Sequence, residues 1–474
     1  MRNKGFAILA LAAVLLGSCT MIPKYDRPAA PVPGDWPQGP AYKGALAGQP
    51  VSPDMDLPWR QFFSEARLQA VIETALRNNR DLRVAALNVD RARALYRIQR
   101  AELLPRFETG VIASKQRVRI SGREGLVTLE EYGLNLGLSS WEIDFFGRLR
   151  SLNQRALEEF FATEQARRSA RILLISEVAN AYLTLAADKE NLKLARSTLE
   201  TQQAAYHLIK RRFEVGLAPE LDVRQAQTRV DAARLDIARY TELVAQDKNA
   251  LDLLAGAPVP EGLLPTELSA VKPLQEVSPG TSSAVLLRRP DILQAENLLK
   301  AANANIGAAR AAFFPRIVLT SAIGTASGDL SGLFQSGSFV WNYAPQAVLP
   351  IFDARTWSGL KATKVEREIA VAQYERAIQA AFQEVADALA SKGTLGDQVA
   401  AQQSLVEASA RTYQLSSARY EKGLDIYLNV LDAQRSLYAA QQGLIAVRLA
   451  KLANQVRLYA VLGGGAGEVL PAGG

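Results

Sequence analysis

From Leu149 to Val215 the chain holds no Gly and no Pro, and Ala and Leu recur at helical spacing between charged residues. At 1.5 Å per residue this predicts a helix of about 100 Å, longer than a single globular core. A second such run, from about Leu360 to Lys422, contains Gly393 and Gly396, which predict an interruption. Between Pro105 and Arg148 the period falls to two: Tyr132, Leu134, Leu136 and Leu138 alternate with Gly133, Asn135, Gly137 and Ser139. Further on, Phe339, Trp341 and Tyr343 alternate with Val340, Asn342 and Ala344, and the partner strands are expected near 106–119 and 316–327. Such strands suit a wall with lipid on one side and water on the other; a half-buried sheet in a soluble domain has the same alternation.

The pattern occurs twice. "RRFEVGLAPELDVRQAQ" at 211–227 is a worn copy of "RYEKGLDIYLNVLDAQR" at 419–435, and "RAELLPR" at 100–106 returns as "RAAFFPR" at 310–316. A unit of roughly 200 residues has been duplicated, each copy running helix, two strands, very long helix, turn, helix. The first repeat covers 59–256, with strands within about 106–143 and a tip turn near 216; the second covers 281–462, with strands within about 316–351 and a tip turn near 423. A Pro-rich linker, 257–280, joins them, and 463–474 form a C-terminal tail. Four strands cannot close a membrane barrel, since the smallest use about eight, so three chains would supply the strands of a twelve-stranded one.

The opening "MRNKGFAILALAAVLLGSCT" has a basic start, an apolar stretch and small residues before Cys19, which makes 1–18 a signal peptide. Leu16-Gly17-Ser18-Cys19 resembles a bacterial lipobox, with Cys19 as the lipidated first mature residue of a tether, 19–58, that contains eight prolines from Pro28 to Pro58. An ordinary cleaved signal with an incidental cysteine is the alternative. Cys19 is the sole cysteine, so no intrachain disulfide can form. After the leader no apolar run approaches the roughly 18 to 20 residues of a membrane helix, which leaves β-strands for any crossing.

A net charge of +7, or +5 without Arg2 and Lys4 of the leader, comes from Lys and Arg interleaved with Asp and Glu, unlike a nucleic-acid-binding run. His207 is the only histidine, mid-helix, where a place on the helix surface or in packing is its expected role. Neither a metal site of usual spacing, nor a phosphate loop, nor a nucleophile elbow is present, so no catalysis and no cofactor are expected. The tips carry the distinctive chemistry instead. Gly216 and Gly423 suit left-handed helix ends, and Leu221-Asp222-Val223 and Leu428-Asn429-Val430 open the returning helices. Asp432 sits one turn further, where the first repeat has Gln225. Three copies around an axis would form a carboxylate ring; a solvated Asp favoured by the helix dipole is the plainer reading.

Taken with the lipobox, "WRQFF" at 59–63, "RAELLPR", "WEIDFFGRLR" at 141–150 and "YLNVLDAQRSLY" at 427–438, the chain resembles TolC-like outer membrane efflux proteins, in particular the OprM/NodT lipoprotein branch. The resemblance implies a mainly α fold with a membrane β-barrel: a trimer whose twelve-stranded barrel continues into a periplasmic α-helical barrel. It implies a passive exit duct for small molecules, placed in the outer membrane among its lipids, with a periplasmic adaptor and an inner membrane transporter, proton-driven, as partners. By motif, Leu428 and Asp432 would line the periplasmic gate, and Tyr420, Glu421 and Asp425, with Phe213 and Glu214 of the first repeat, would belong to contacts at the hairpin tips. Asn429 stands where some members place a second aspartate, which implies fewer charges at the constriction. A protein-secretion component of the same fold and a non-conducting lipoprotein scaffold are the alternatives.

Overall fold

The computed structural model describes residues 20–47, 49–50, 57–119, 121–122 and 125–464. The signal peptide, Cys19, part of the tether and the end of the tail lie outside them. Seven principal helices and four principal strands follow in the order α1 (Ala66–Asn78), α2 (Arg80–Ala101), β1 (Phe107–Arg119), β2 (Leu126–Glu142), α3 (Arg148–Glu214), α4 (Glu220–Ala255), α5 (Pro290–Ala311), β3 (Arg316–Ser327), β4 (Phe339–Val348), α6 (Ala354–Glu421) and α7 (Tyr427–Val461). The repeats are not separate bodies. One compact unit gathers 88–164 and 294–375 with the N-terminal stretch to Ala29, and the other gathers 30–87, 165–293 and 376 onward.

The first unit is built on an antiparallel sheet in the order β1-β2-β3-β4. Register places Val111 opposite Leu134, Leu136 opposite Ile323, and Ile323 opposite Trp341, so one face carries the large apolar side chains. The other face is small and polar, with Asn135 opposite Gly324 and Ala322 opposite Asn342. Between Leu138 and Trp141 the ladder shifts by one residue, and Ser140 takes φ 49°, a bulge that re-aims the strand as it leaves the sheet. The "WEIDFFGRLR" stretch is the strand-to-helix corner. Glu142 accepts from Arg148 at 2.8 and 2.7 Å and from Arg316 of β3 at 2.6 Å, while Asp144 accepts from the Arg150 backbone at 2.9 Å. Along α5, Arg27 of the tether grips the buried Glu296 with two bonds of 2.9 and 2.5 Å.

In the second unit the single turn Trp59–Phe62 and the following Phe63 form an aromatic centre with α7: the Phe62 and Tyr459 rings stack at 4.2 Å, with Phe63 edge-on. The linker closes over it, Ser64 Oγ donating to the Pro273 carbonyl at 2.7 Å and Gln49–Pro50 pairing with Val277–Ser278 in parallel. Two expectations need correction. The second long helix, α6, is unbroken at Gly393 and Gly396. Gly393 is instead where the chain at Ala41 crosses, its carbonyl oxygen 2.1 Å from the position a Cβ would take. Also, α3 does hold one stretch long and apolar enough to span a membrane, but 67% of it is buried in the chain. Its Ile172, Ile175, Val178, Tyr182 and Leu185 are core residues, and neighbours on several sides explain the apolar composition.

Candidate functional site: the hairpin tips

Both long helices end in the same way. Gly216 and Gly423 take φ 80° and 71°, and each donates to a carbonyl three residues back, Phe213 and Tyr420, at 2.9 Å. The following residues close the wider loop, Leu217 N donating to Arg212 O at 2.7 Å and Leu424 N to Arg419 O at 2.9 Å. This six-to-one and inner bond pair is a Schellman end, which needs a residue without a Cβ penalty at the left-handed position.

The restarts differ. Pro219 precedes α4 with extended backbone, whereas α7 is preceded by Asp425, whose carboxylate accepts from Arg419 Nε at 3.2 Å, from the Ile426 backbone at 3.0 Å and from Asn429 Nδ2 at 2.5 Å. The hydrogen bond from Arg419, with those from Asn429 and the backbone, holds the Asp425 carboxyl below the usual carboxylate range. Asp425 therefore fastens its own hairpin.

Between the hairpins lies a cluster that motif reading missed. Tyr427, Val430 and Leu431 of α7 pack with Ile209 of α3 and Val223 and Ala226 of α4, rimmed by Tyr206, Tyr413 and Tyr420. The Tyr420 and Tyr427 rings are 5.2 Å apart, and the Arg212 guanidinium lies 5.2 Å from the Tyr420 ring. The spacing of Tyr427, Val430 and Leu431 is an i, i+3, i+4 stripe that could have signalled it. Burial in this cluster pushes up the Tyr427 hydroxyl pKa, and burial also raises that of Asp222. Further along, Tyr438 donates to Asp236 at 2.9 Å and Gln442 to the Tyr240 hydroxyl at 3.0 Å, tying α7 to α4.

Of the motif residues, Tyr420 joins this cluster, while Leu428, Glu421, Phe213 and Glu214 face solvent. Leu428 is 53% exposed, and Asp432, four residues on and so on the same helix side, pairs with Arg435 at 2.5 Å, both side chains more than half exposed. Leu428 and Asp432 thus project away from the packed seam. Among the described residues no group of His, Cys, Asp or Glu is arranged to hold a metal ion.

A sheet with one broad apolar exposed face, joined in sequence to a pair of long helical hairpins, defines the class: a channel-forming outer membrane protein. The family model described as outer membrane efflux protein matches residues 71–257 and 281–464, and the chain belongs to that family. It is 48% identical over 469 residues to the toluene efflux pump outer membrane protein TtgC of Pseudomonas putida, covering 98% of this chain and 96% of that one. It is 41% identical to the outer membrane protein OprJ of Pseudomonas aeruginosa, covering 98% and 97%. The solved open state of the MtrE outer membrane channel of Neisseria gonorrhoeae superposes with a TM-score of 0.86 at 36% identity, covering 94% of this chain and 99% of that one. The protein is an efflux channel of the outer membrane that extends into the periplasm, and its fold is that of the TolC-like channels.

Proposed function

We propose that three copies of this chain form the exit duct of a tripartite pump, coupled to a periplasmic adaptor and a proton-driven inner membrane transporter, with Cys19 lipidated as an anchor. The duct catalyses no reaction; it passes cargo released by the transporter. Its cargo is small and apolar, as the name of the toluene pump relative supports. The gate lies at the second hairpin tip, where Leu428 and Asp432 narrow the passage as rings of bulk and charge.

The observation that carries this reading is the division of labour on α7. Tyr427, Val430 and Leu431 are buried between the hairpins, which leaves Leu428 and Asp432 free to face an axis. The sheet supplies four strands with open outer edges, a third of the proposed barrel. Single-channel conductance of the detergent-extracted protein in planar bilayers, paired with its mass, tests the duct. A trimer should conduct poorly at rest, and Leu428→Ala with Asp432→Ala should raise conductance severalfold and sensitise cells to large antibiotics. Unchanged conductance in a correctly assembled variant would remove both residues from the gate.

A further inference from the structure

The apolar face of the sheet does not end in neutral residues. In β1 the residues on that face are Phe107, Thr109, Val111 and Ala113, opposite Leu138, Leu136, Leu134 and Tyr132 of β2. The next three on the same face are Lys115, Arg117 and Arg119, opposite Glu130, Thr128 and Leu126. Lys115 pairs with Glu130, and both arginines are exposed. The reverse face of the same rows carries Ser114, Gln116 and Val118 with Val127, Leu129 and Glu131, and no cation. Charge placed only for solubility has no reason to choose one face. Here the positive charge is confined to the face that is apolar in the rows before it.

Position along the strands sharpens this. The pairing of β2 with β3 stops at Tyr132 and Ser327, so the rows from Lys115 to Arg119 belong to a two-stranded hairpin that runs past the rest of the sheet. The junctions with α2, α3, α5 and α6 are all at the opposite end of the strands. The cations therefore stand at the outer end, immediately beyond an apolar wall with Tyr132 at its border. Alternate strand residues repeat at about 7 Å, so the three form a ladder of about 14 Å. Arginine grips phosphate with two parallel bonds, and a cation ladder of that length meets a headgroup with more than one phosphate.

We propose that Lys115, Arg117 and Arg119 form a docking site for the phosphorylated glycolipid of the outer leaflet, whose acyl chains cover the apolar wall of Val111, Leu134 and Leu136 below. This rests on the reading of that face as the lipid-facing wall of a membrane barrel. The lipid's phosphates replace the solvent around Arg117 and Arg119, and its chains give the ladder an orientation that a free anion lacks.

The test compares the protein with the Lys115→Gln/Arg117→Gln/Arg119→Gln variant. Both are stripped of lipid in mild detergent and titrated, by native mass spectrometry, with the diphosphorylated glycolipid, its dephosphorylated form and inorganic phosphate. The wild type should hold the phosphorylated lipid about tenfold or more tighter than the variant does, and in preference to the dephosphorylated lipid. Equal retention of both lipids, or equal retention by both proteins, would overturn the site and leave only a greasy wall. Inorganic phosphate that competes at the concentration of the lipid would overturn the lipid as ligand. Arg117→Gln combined with Gln116→Arg keeps the net charge but moves it to the reverse face, and it should bind as weakly as Arg117→Gln alone. Unaltered single-channel conductance of each variant shows that the barrel assembled. A wild type that never inserts into a bilayer would bring down the channel reading itself, an outcome separate from insertion with unselective lipid binding.

Discussion

Asp432 and Arg435 form an ion pair with side chains 62% and 64% exposed, and such a pair adds at most about 1 kcal/mol to stability. Its consequence is electrostatic. Asp432→Ala alone leaves the Arg435 guanidinium without this partner, so a ring of such tips changes sign. Reversal potentials in asymmetric salt should move toward anion preference in Asp432→Ala and return toward neutrality when Arg435→Ala is added; identical potentials in both would place this pair away from the ion path. A second pair lies between α3 and α4, where the Asp247 carboxyl is buried beside that of Asp188. Burial, then the charge of Asp188, pushes Asp247 up to about 6. A carboxyl raised in the folded state keeps its proton to higher pH than the unfolded chain does. Its favourable contribution is therefore complete below the ordinary carboxylate range and is lost as pH rises through about 6. Asp247→Asn supplies an amide donor to Asp188 without titrating. Thermal unfolding should show it more stable than the wild type by about 1 kcal/mol at pH 7, after allowance for partial exposure, with the gap closing below about pH 4. A gap that ignored pH would break the argument.

At the level of elements, the long rods, the tip glycines and the alternating strands were legible because each is a local signal. Tyr132 to Leu138 alternate strictly, and that is enough to choose a face. What was not legible depended on partners distant in sequence. A glycine within a helix costs about 1 kcal/mol against alanine, so Gly393 had the look of a break. The crossing of Ala41, some 350 residues earlier, supplies the reason for it, and no local pattern encodes that crossing. The tip cluster was hidden differently, because α7 carries apolar residues on several sides and Tyr427, Val430 and Leu431 do not stand out as a lone stripe. Motif reading singled out Asp432 but not its pairing with Arg435. Gly393→Val should leave α6 helical yet displace the segment around Ala41, because its side chain would meet the backbone there. Limited proteolysis should then cut within 30–47 many times faster than in the wild type, with helix content by circular dichroism unchanged. Equal protection would mean that the crossing tolerates a side chain.

For the whole molecule the decisive feature is the sheet's incompleteness. Among the described residues β1 pairs only with β2 and β4 only with β3, so 13 residues at one edge and 10 at the other leave half of their ladder groups without strand partners. Within a membrane such groups must be satisfied, and a closed barrel is the means by which strands do so. In a closed trimer the alternation of directions would make β4 of one copy antiparallel to β1 of the next, so that each copy would have its two edges covered, one by each neighbour. Cys19 is the only native cysteine, so new ones report cleanly. Tyr343→Cys, on the apolar face of β4, can be combined in turn with Phe107→Cys, Thr109→Cys or Val111→Cys on that face of β1. Opposite side chains in an antiparallel pair have Cβ atoms about 5 Å apart, close to disulfide reach. Oxidation in native membranes should link copies efficiently in one of the three combinations, give covalent dimers and trimers but nothing larger, and give no linked species when only one edge carries a cysteine. A ladder continuing past three would indicate open, head-to-tail growth, since the same heterologous contact yields a ring only when its rotation closes. Closure at three would turn a four-stranded sheet into a wall with an inside, and the small, polar face of Asn135, Gly324, Ala322 and Asn342 would then be the surface that cargo meets.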